Sequence, residues 1–163
     1  MFRLSTRADP AFLAEMLYEA VYWRDDGAEE RPPLDALLSQ PETARYVSGW
    51  GRSGDLAVFA LDRRDEPVGA AWYRSFDAKE PGYGFVSSEI PELAIAVYPE
   101  FRGQGVGNLL LGSLIARAQA HAVPALSLSV SRENRAQRLY VRHGFEVHSE
   151  HDGSLTMLLT MGD

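Results

Sequence analysis

The stretch PEFRGQGVGNLLL, Pro99 to Leu111, lies between an apolar strand pattern and a helical pattern. The preceding residues ELAIAVY alternate as in a β-strand, and Pro99 should end that strand because proline has no amide hydrogen for the ladder. From Leu110 onward, apolar residues recur at helical spacing. The loop between the two elements contains three glycines, Gly103, Gly105 and Gly107. We therefore predict a strand, a glycine loop and a helix in direct succession.

A glycine loop before a helix favours the binding of an anion at the start of that helix. The first N–H groups of a helix have no partner within it, and the positive end of the helix dipole attracts negative charge. Glycine lets another group approach the backbone closely, and Arg102 can add a charged contact. The sequence thus predicts a pyrophosphate site between Arg102 and Asn108, although such a loop can also simply connect a strand to a helix.

The common nucleotide motifs do not fit this loop. A Walker A loop requires lysine followed by serine or threonine after its last glycine, but Asn108 and Leu109 follow Gly107. A dinucleotide fingerprint that starts at Gly103 would require glycine at Asn108. A nucleotide-binding protein therefore remains an alternative without a matching motif.

Composition narrows the function classes. The length of 163 residues fits one domain, 1–163, and the net charge of −7 argues against sequence-independent nucleic-acid binding. The chain has no cysteine, which excludes disulfides, thiolate zinc sites and a cysteine nucleophile. The histidines show no metal-ligand spacing, so we expect no metal. Without an apolar run of membrane-spanning length or a signal-peptide pattern, we expect a cytoplasmic protein with no membrane partner.

The elements along the chain predict an α/β domain with a mixed sheet. A first helix, ADPAFLAEMLYEAVYW, should be capped by Asp9, and the polar break RDDGAEERPP should follow it. In chain order we predict strand FRLSTRA, that helix, helical pieces LDALLSQ and PETARYVSGW, strands DLAVFALD and EPVGAAWYRSF, loop DAKEPGYGFVSSEIP, strand ELAIAVY, helix GNLLLGSLIARAQAHA, strand PALSLSVS, helix ENRAQRLYVRHG, and strands FEVHSE and SLTMLLT.

Two blocks resemble a known family. Arg102, Gly105 and Gly107 spell Arg-x-x-Gly-x-Gly, which resembles the acyl-CoA-binding motif of the GNAT N-acetyltransferases. The block LSLSVSRENRAQRLYVRHGFE, Leu126 to Glu146, is similar to that family's strand, asparagine, helix with Leu-Tyr, and Gly-Phe turn. The resemblance implies the GNAT-like acyl-CoA N-acyltransferase fold: a mostly antiparallel sheet with two splayed parallel strands and helices on both faces.

The same resemblance implies acetyl-CoA as the acyl donor, held between ELAIAVY and LSLSVS. Ile95 N–H should face the thioester oxygen, and Val97 should bond the pantetheine amides. Asn134 resembles the family's cofactor-contacting asparagine, but it stands six residues before Tyr140, where many relatives have seven. The pyrophosphate loop would comprise Arg102, Gly103, Gln104, Gly105, Val106, Gly107 and Asn108.

The resemblance implies a reaction in which a primary amine attacks the thioester directly. Tyr140 would protonate the departing thiolate and would also contact the cofactor, although an aromatic residue beside Leu139 also suits the core. The family's usual base position falls on or beside Pro91, so the flanking Glu89 and Glu92 are the candidate bases, or else solvated glutamates. The Ile95 amide would stabilise the oxyanion.

The acceptor is unidentified, a small molecule or a peptide. Of the aromatic residues near the expected pocket, the loop residues Tyr83 and Phe85 are the better candidates, because Trp72 and Tyr73 alternate on a strand and one of them must point inward. Similar proteins are often dimers, so a homodimer is compatible with the resemblance. The absence of a clear base leaves a non-catalytic acyl-CoA-binding or regulatory module as the alternative.

Overall fold

The computed structural model describes residues 1–7, 9–24 and 31–162. The predicted polar break falls largely on residues 25–30, outside the described residues. The five α-helices of the described part are α1 (Pro10–Val21), α2 (Leu34–Leu38), α3 (Pro41–Ala44), α4 (Val106–Ala120) and α5 (Gln137–Arg142), and a short 3₁₀ helix spans Pro99–Phe101. Its seven strands are β1 (Arg3–Ser5), β2 (Leu56–Leu61), β3 (Pro67–Arg74), β4 (Glu92–Val97), β5 (Ala125–Ser131), β6 (Glu146–His151) and β7 (Ser154–Thr160).

Local signals place the start of α1 and the end of α5 where the sequence predicts them. Asp9 caps α1, since its Oδ1 accepts the Phe12 N–H at 3.3 Å, and Pro10 occupies the first helical position. Gly144 follows α5 with φ of 96°, and the Phe145 N–H reaches back to the Tyr140 carbonyl at 3.0 Å. None of the described helices is long and apolar enough to cross a bilayer.

The strands form one seven-stranded sheet in the order β1-β2-β3-β4-β5-β7-β6. All neighbouring strands pair antiparallel except β4 and β5, which run parallel. The predicted mixed, mostly antiparallel sheet is therefore confirmed. The single parallel pair lies at its centre, with α4 as the crossover between the two strands.

The parallel strands β4 and β5 diverge almost at once. They share one Cα pair, Glu92 with Ser127, and the Ser127 N–H donates to the Pro91 carbonyl at 3.0 Å. The Tyr98 N–H donates to β3, at Val68 O and 2.9 Å. Because main-chain groups alternate sides along a strand, the N–H groups of Ile95 and Val97 face the β5 side, where the ladder has ended. The divergence leaves main-chain donors along a cleft.

Helices cover both faces of the sheet. Helix α4 buries Leu110, Leu111 and Leu114 completely against one face. Helix α1 buries Leu13 and Met16 completely on the other. Trp72 and Tyr73 therefore both point inward, one into each core, with 1% and 2% of their surface exposed.

Candidate active site

A cavity of about 1130 Å³ follows the divergence of β4 and β5. Its walls are the two strands, the end of α1, the start of α4 and residues of α5. The glycine loop lies at one end, and Tyr46, Tyr83 and Glu92 lie at the other. The predicted site residues that line it are Glu92, Ile95, Val97, Arg102, Gly103, Gly105, Val106, Gly107, Asn134, Tyr140 and Tyr83.

The glycine loop has the conformation that opens the start of α4 to the cavity. Gly103 and Gly105 have φ of 78° and 83°, and a Cβ on either would meet nothing within 4 Å. Glycine is therefore required there for its backbone conformation and not for lack of space. Gly105 precedes the first helical residue, Val106, so the N–H groups of the first turn have no partner within the helix. These amides are suited to a phosphate.

Arg102 is fixed beside this loop. Its Nε donates to the Val97 carbonyl at 3.1 Å, and its Nη2 lies 3.7 Å from Glu19 Oε1. The side chains of Gln104 and Asn108 take other partners and do not line the cavity. Gln104 donates to Glu100 O at 3.3 Å, and Asn108 Oδ1 lies 2.8 Å from a ring nitrogen of His143. Any contact of these two residues with a ligand would thus come from their main chain.

Glu92 is a buried carboxylate in the wall of the cavity, with 2% of its surface exposed. The Tyr46 hydroxyl donates to its Oε2, whereas Oε1 has no hydrogen-bond partner among the described residues. Burial raises the pKa of Glu92 from 4.5 to about 7, and the hydrogen bond from Tyr46 opposes that rise. A group with this pKa can take up and release a proton near neutral pH.

Glu89 and Phe85 lie outside the lining of the cavity. Glu89 is exposed in the loop before β4, while Phe85 packs partly buried against the core beneath α1. Tyr83 is 63% exposed, and its ring stacks on Tyr46 with centroids 6.5 Å apart. Of the two candidate bases, only Glu92 lines the cavity. Of the two candidate acceptor contacts, only Tyr83 does.

Tyr140 belongs both to the core and to the cavity wall. Its ring packs edge-on against Phe145 with centroids 6.0 Å apart, and 7% of the residue is exposed. Burial raises the pKa of its phenol, so the hydroxyl stays protonated at neutral pH. Burial alone accounts for that rise, and no hydrogen bond within the described part of the chain adds to it or opposes it. Core packing and proton donation are compatible for this residue.

Asn134 lines the cavity and also stabilises the turn before α5. Its Oδ1 accepts the Ala136 N–H at 2.9 Å, and its own N–H donates to Ser131 O at 3.0 Å. This turn uses only the oxygen of the Asn134 side chain, so its NH₂ group can donate to a ligand.

Sequence reasoning missed Tyr46 and the buried pair of Arg74 and Asp55. Arg74 Nη2 lies 2.6 Å from Asp55 Oδ2, and the two side chains are 1% and 3% exposed. No local pattern marks these residues, because each contact joins segments far apart in sequence. The described residues contain no group of three or more His, Asp or Glu side chains arranged to bind a metal.

Comparison with known proteins decides the family. Residues 16–145 match the model of the Acetyltransferase (GNAT) family. This chain belongs to the GNAT family. The resemblance predicted from Arg102, Gly105 and Gly107 is thereby confirmed.

The GNAT chain is similar to several named proteins. It is 33% identical over 125 residues to mycothiol acetyltransferase of Brachybacterium faecium, covering 76% of this chain and 33% of that protein. It is 29% identical over 116 residues to L-2,4-diaminobutyric acid acetyltransferase of Nocardia farcinica, covering 62% of this chain and 59% of that one. The alignments thus span less than two thirds of either relative.

Solved structures share the fold. PaiA N-acetyltransferase of Thermoplasma acidophilum, crystallised in complex with coenzyme A, superposes with a TM-score of 0.70 at 16% identity. The match covers 99% of each chain. At this identity the likeness confirms the predicted fold of the GNAT chain.

Proposed function

We propose that this GNAT chain transfers an acetyl group from acetyl-CoA to a primary amine. One observation supports the proposal above the others. A single cavity joins an open helix start, a row of strand N–H groups and a buried carboxylate with a pKa of about 7. These are the parts needed to bind a diphosphate, hold an extended amide chain and deprotonate an amine.

The residues of the cavity fit acetyl-CoA. The first-turn amides of α4, with Arg102 beside them, would hold the pyrophosphate. The Val97 N–H would bond the pantetheine arm, because the diverging strands leave main-chain groups that need partners. Asn134 would add a side-chain contact from the α5 side. When bound, acetyl-CoA supplies a thioester whose sulfur is the leaving group.

Three residues would then act on the reacting atoms. Glu92 would take a proton from the amine so that its lone pair can attack. The Ile95 N–H would donate to the carbonyl oxygen as negative charge develops there. Tyr140 would donate to the departing sulfur. The phenol would pass its proton to the sulfur and take up the proton that the amine nitrogen loses as the amide forms, so CoA leaves as a thiol. No phenolate would persist, because burial disfavours it.

The acceptor would enter beside Tyr46 and Tyr83, at the carboxylate end of the cavity. Tyr83 offers an exposed ring that an acceptor can contact, and Phe85 would support that loop from behind. The names of the relatives include a small diamino acid and an alanine of ribosomal protein bS18 as acceptors. Both small amines and peptide N-termini are therefore suitable members of a test panel.

Binding and turnover test the proposal separately. Thermal shifts with acetyl-CoA, CoA, ATP and NAD should show stabilisation by the first two ligands. Thiol release from acetyl-CoA, measured with polyamines, aminoglycosides, amino acids and peptides, should occur with at least one class. Stabilisation by ATP or NAD but not by CoA would refute the proposal. Tight binding of acetyl-CoA without turnover across the panel would instead favour a non-catalytic acyl-CoA-binding module.

A matched variant sharpens the assay. Glu92→Gln keeps the size of the side chain and its ability to accept from Tyr46, but it cannot take up a proton. Glu92→Gln should bind acetyl-CoA normally and lose most turnover, while Glu89→Gln should keep both. Normal turnover in Glu92→Gln would remove Glu92 from the mechanism.

A further inference from the structure

Tyr46 contacts the carboxylate end of the cavity from a segment outside both family motifs. We infer that Tyr46 is a positioning residue, whose phenol donates to Oε2 and so fixes the orientation of the Glu92 carboxylate in the wall of the cavity. The catalytic part of this inference rests on the proposed function, since it assumes that Glu92 is the base. The structural part stands on the hydrogen bonds alone.

The phenol of Tyr46 is itself held in one orientation. Its oxygen accepts the Tyr83 N–H at 2.8 Å, so the hydroxyl hydrogen points elsewhere, to Glu92 Oε2. The ring packs against Phe76 with centroids 5.1 Å apart, and 6% of the residue is exposed. The Trp72 Nε1 donates to the Tyr46 carbonyl at 3.1 Å, which fixes the main chain as well.

The loop before β4 closes directly over this pair. A Cβ at Gly82 would lie 2.2 Å from Glu92 Oε1 and 2.8 Å from the Tyr46 hydroxyl, so no larger residue fits there without displacing them. The backbone at Gly84 lies equally close to β5, since a Cβ there would be 2.5 Å from the Leu128 carbonyl carbon. The loop therefore leaves little room for the carboxylate to rotate away from Tyr46.

The cation nearest in register is directed away from Glu92. Arg74 is its cross-strand partner on β3 and is 1% exposed. Its guanidinium makes two hydrogen bonds to Asp55, at 3.1 and 2.6 Å. Its other hydrogen bonds are to the carbonyls of Arg45 and Ser48, at 2.9 and 2.7 Å, and its guanidinium lies over the Trp50 ring, 5.2 Å from the ring centroid. Asp55 and these carbonyls thus satisfy Arg74, and it makes no hydrogen bond to the carboxylate.

Within the described part of the chain, the pKa of Glu92 is set by burial, the Tyr46 phenol and the backbone of Gly84, and by no charged side chain. Strand β5 places Ser127 opposite, with a buried Oγ that has no partner among the described residues. The loop contributes the backbone of Gly82 and Gly84. The Tyr46 phenol is the first of two neutral donors that oppose the effect of burial, and the backbone of Gly84 is the second, because a hydrogen bond to the charged form of an acid lowers its pKa.

Direct titration of Glu92 tests this without any substrate. The δ-carbon of glutamate is followed by carbon-13 NMR from pH 4 to 10, and the Glu92 signal is assigned by its loss in Glu92→Gln. In Tyr46→Phe the pKa of Glu92 should rise by about one unit or more, since a hydrogen bond to a charged group is lost. Tyr73→Phe is the matched control, because Tyr73 is equally buried on the opposite face of the sheet. It should leave the Glu92 titration unchanged.

The pH profile supplies the catalytic readout. In Tyr46→Phe the acid limb of kcat/KM should move to higher pH, giving about fivefold to tenfold lower activity at pH 7 and recovery near pH 9. A purely structural role would lower activity by a similar factor at every pH. If the proposed function fails and no amine is acetylated, the NMR titration still decides the positioning role.

A second substitution keeps the shape of the ring. Placing 3-fluorotyrosine at position 46 makes the phenol a stronger donor, so the pKa of Glu92 should fall. This variant answers the question even if Tyr46→Phe does not fold. A Glu92 titration that is unchanged in the fluorinated protein, or in a folded Tyr46→Phe, would overturn the inference.

Discussion

Replacing Glu92 by glutamine should make the protein more stable above neutral pH, although it removes the proposed base. The carboxylate is 2% exposed, and burial raises its pKa from 4.5 to about 7 in the folded chain. Between these two pH values the folded protein holds a proton that the unfolded chain has lost. Its stability therefore falls as the pH rises from 4.5 to 7.

The size of the effect follows from that difference in pKa. One pH unit corresponds to 1.36 kcal/mol, so the rise in pKa from 4.5 to about 7 represents about 3 kcal/mol of lost stability. The loss is absent below pH 4.5 and complete above pH 7. Glutamine has no proton to release, and it can still accept the hydrogen bond from Tyr46. The variant should thus gain up to about 3 kcal/mol at pH 8 and almost nothing at pH 4.5.

Urea unfolding followed by tryptophan fluorescence measures this at pH 4.5, 6 and 8. The free energy of unfolding of Glu92→Gln minus that of the original chain should grow steadily across the series. Glu89→Gln is the control, because Glu89 is exposed and should change stability little at any of these pH values. An equal difference at pH 4.5 and pH 8, or a less stable glutamine variant at pH 8, would refute the reasoning.

Three further substitutions have defined outcomes. Gly105→Glu should abolish CoA binding measured by calorimetry. Gly54→Glu is the control, because Gly54 has a similar φ, 91° against 83°, and equally open space; it should lose comparable stability and keep CoA binding. Equal CoA affinities in the two variants would contradict the phosphate site. Tyr140→Phe should lower kcat more than it weakens CoA binding, and an unchanged kcat would assign the residue to the core alone. Asp55→Asn should lower the free energy of unfolding in urea by about 3 to 5 kcal/mol, because it leaves the buried Arg74 without its counter-ion. Asp65→Asn, in an exposed ion pair, should lower it by about 1 kcal/mol or less. Similar losses in the two variants would show that burial does not set the value of the ion pair.

Glu89 and Glu92 show what the sequence predicts about the general base and what it leaves undecided. The position of Pro91 and the family's usual base together pointed to Glu89 and Glu92 without separating them. Glu92 is the first residue of β4 and is covered by the loop around Gly82, whereas Glu89 remains in the exposed part of that loop. The two glutamates are only three residues apart, and the folding of the Gly82 loop over the start of β4 decides which carboxylate loses its water.

The sequence alone determined the elements whose causes are local. Glycines with positive φ before α4, the Asp9 cap of α1 and the alternation within β4 all depend on neighbours a few residues away. Tertiary structure decided the rest: the early divergence of β4 from β5, the burial of both Trp72 and Tyr73, and the contact of Tyr46 with Glu92. Proton affinity and orientation depend on desolvation and on partners brought in from distant segments, and no periodicity along the chain specifies them.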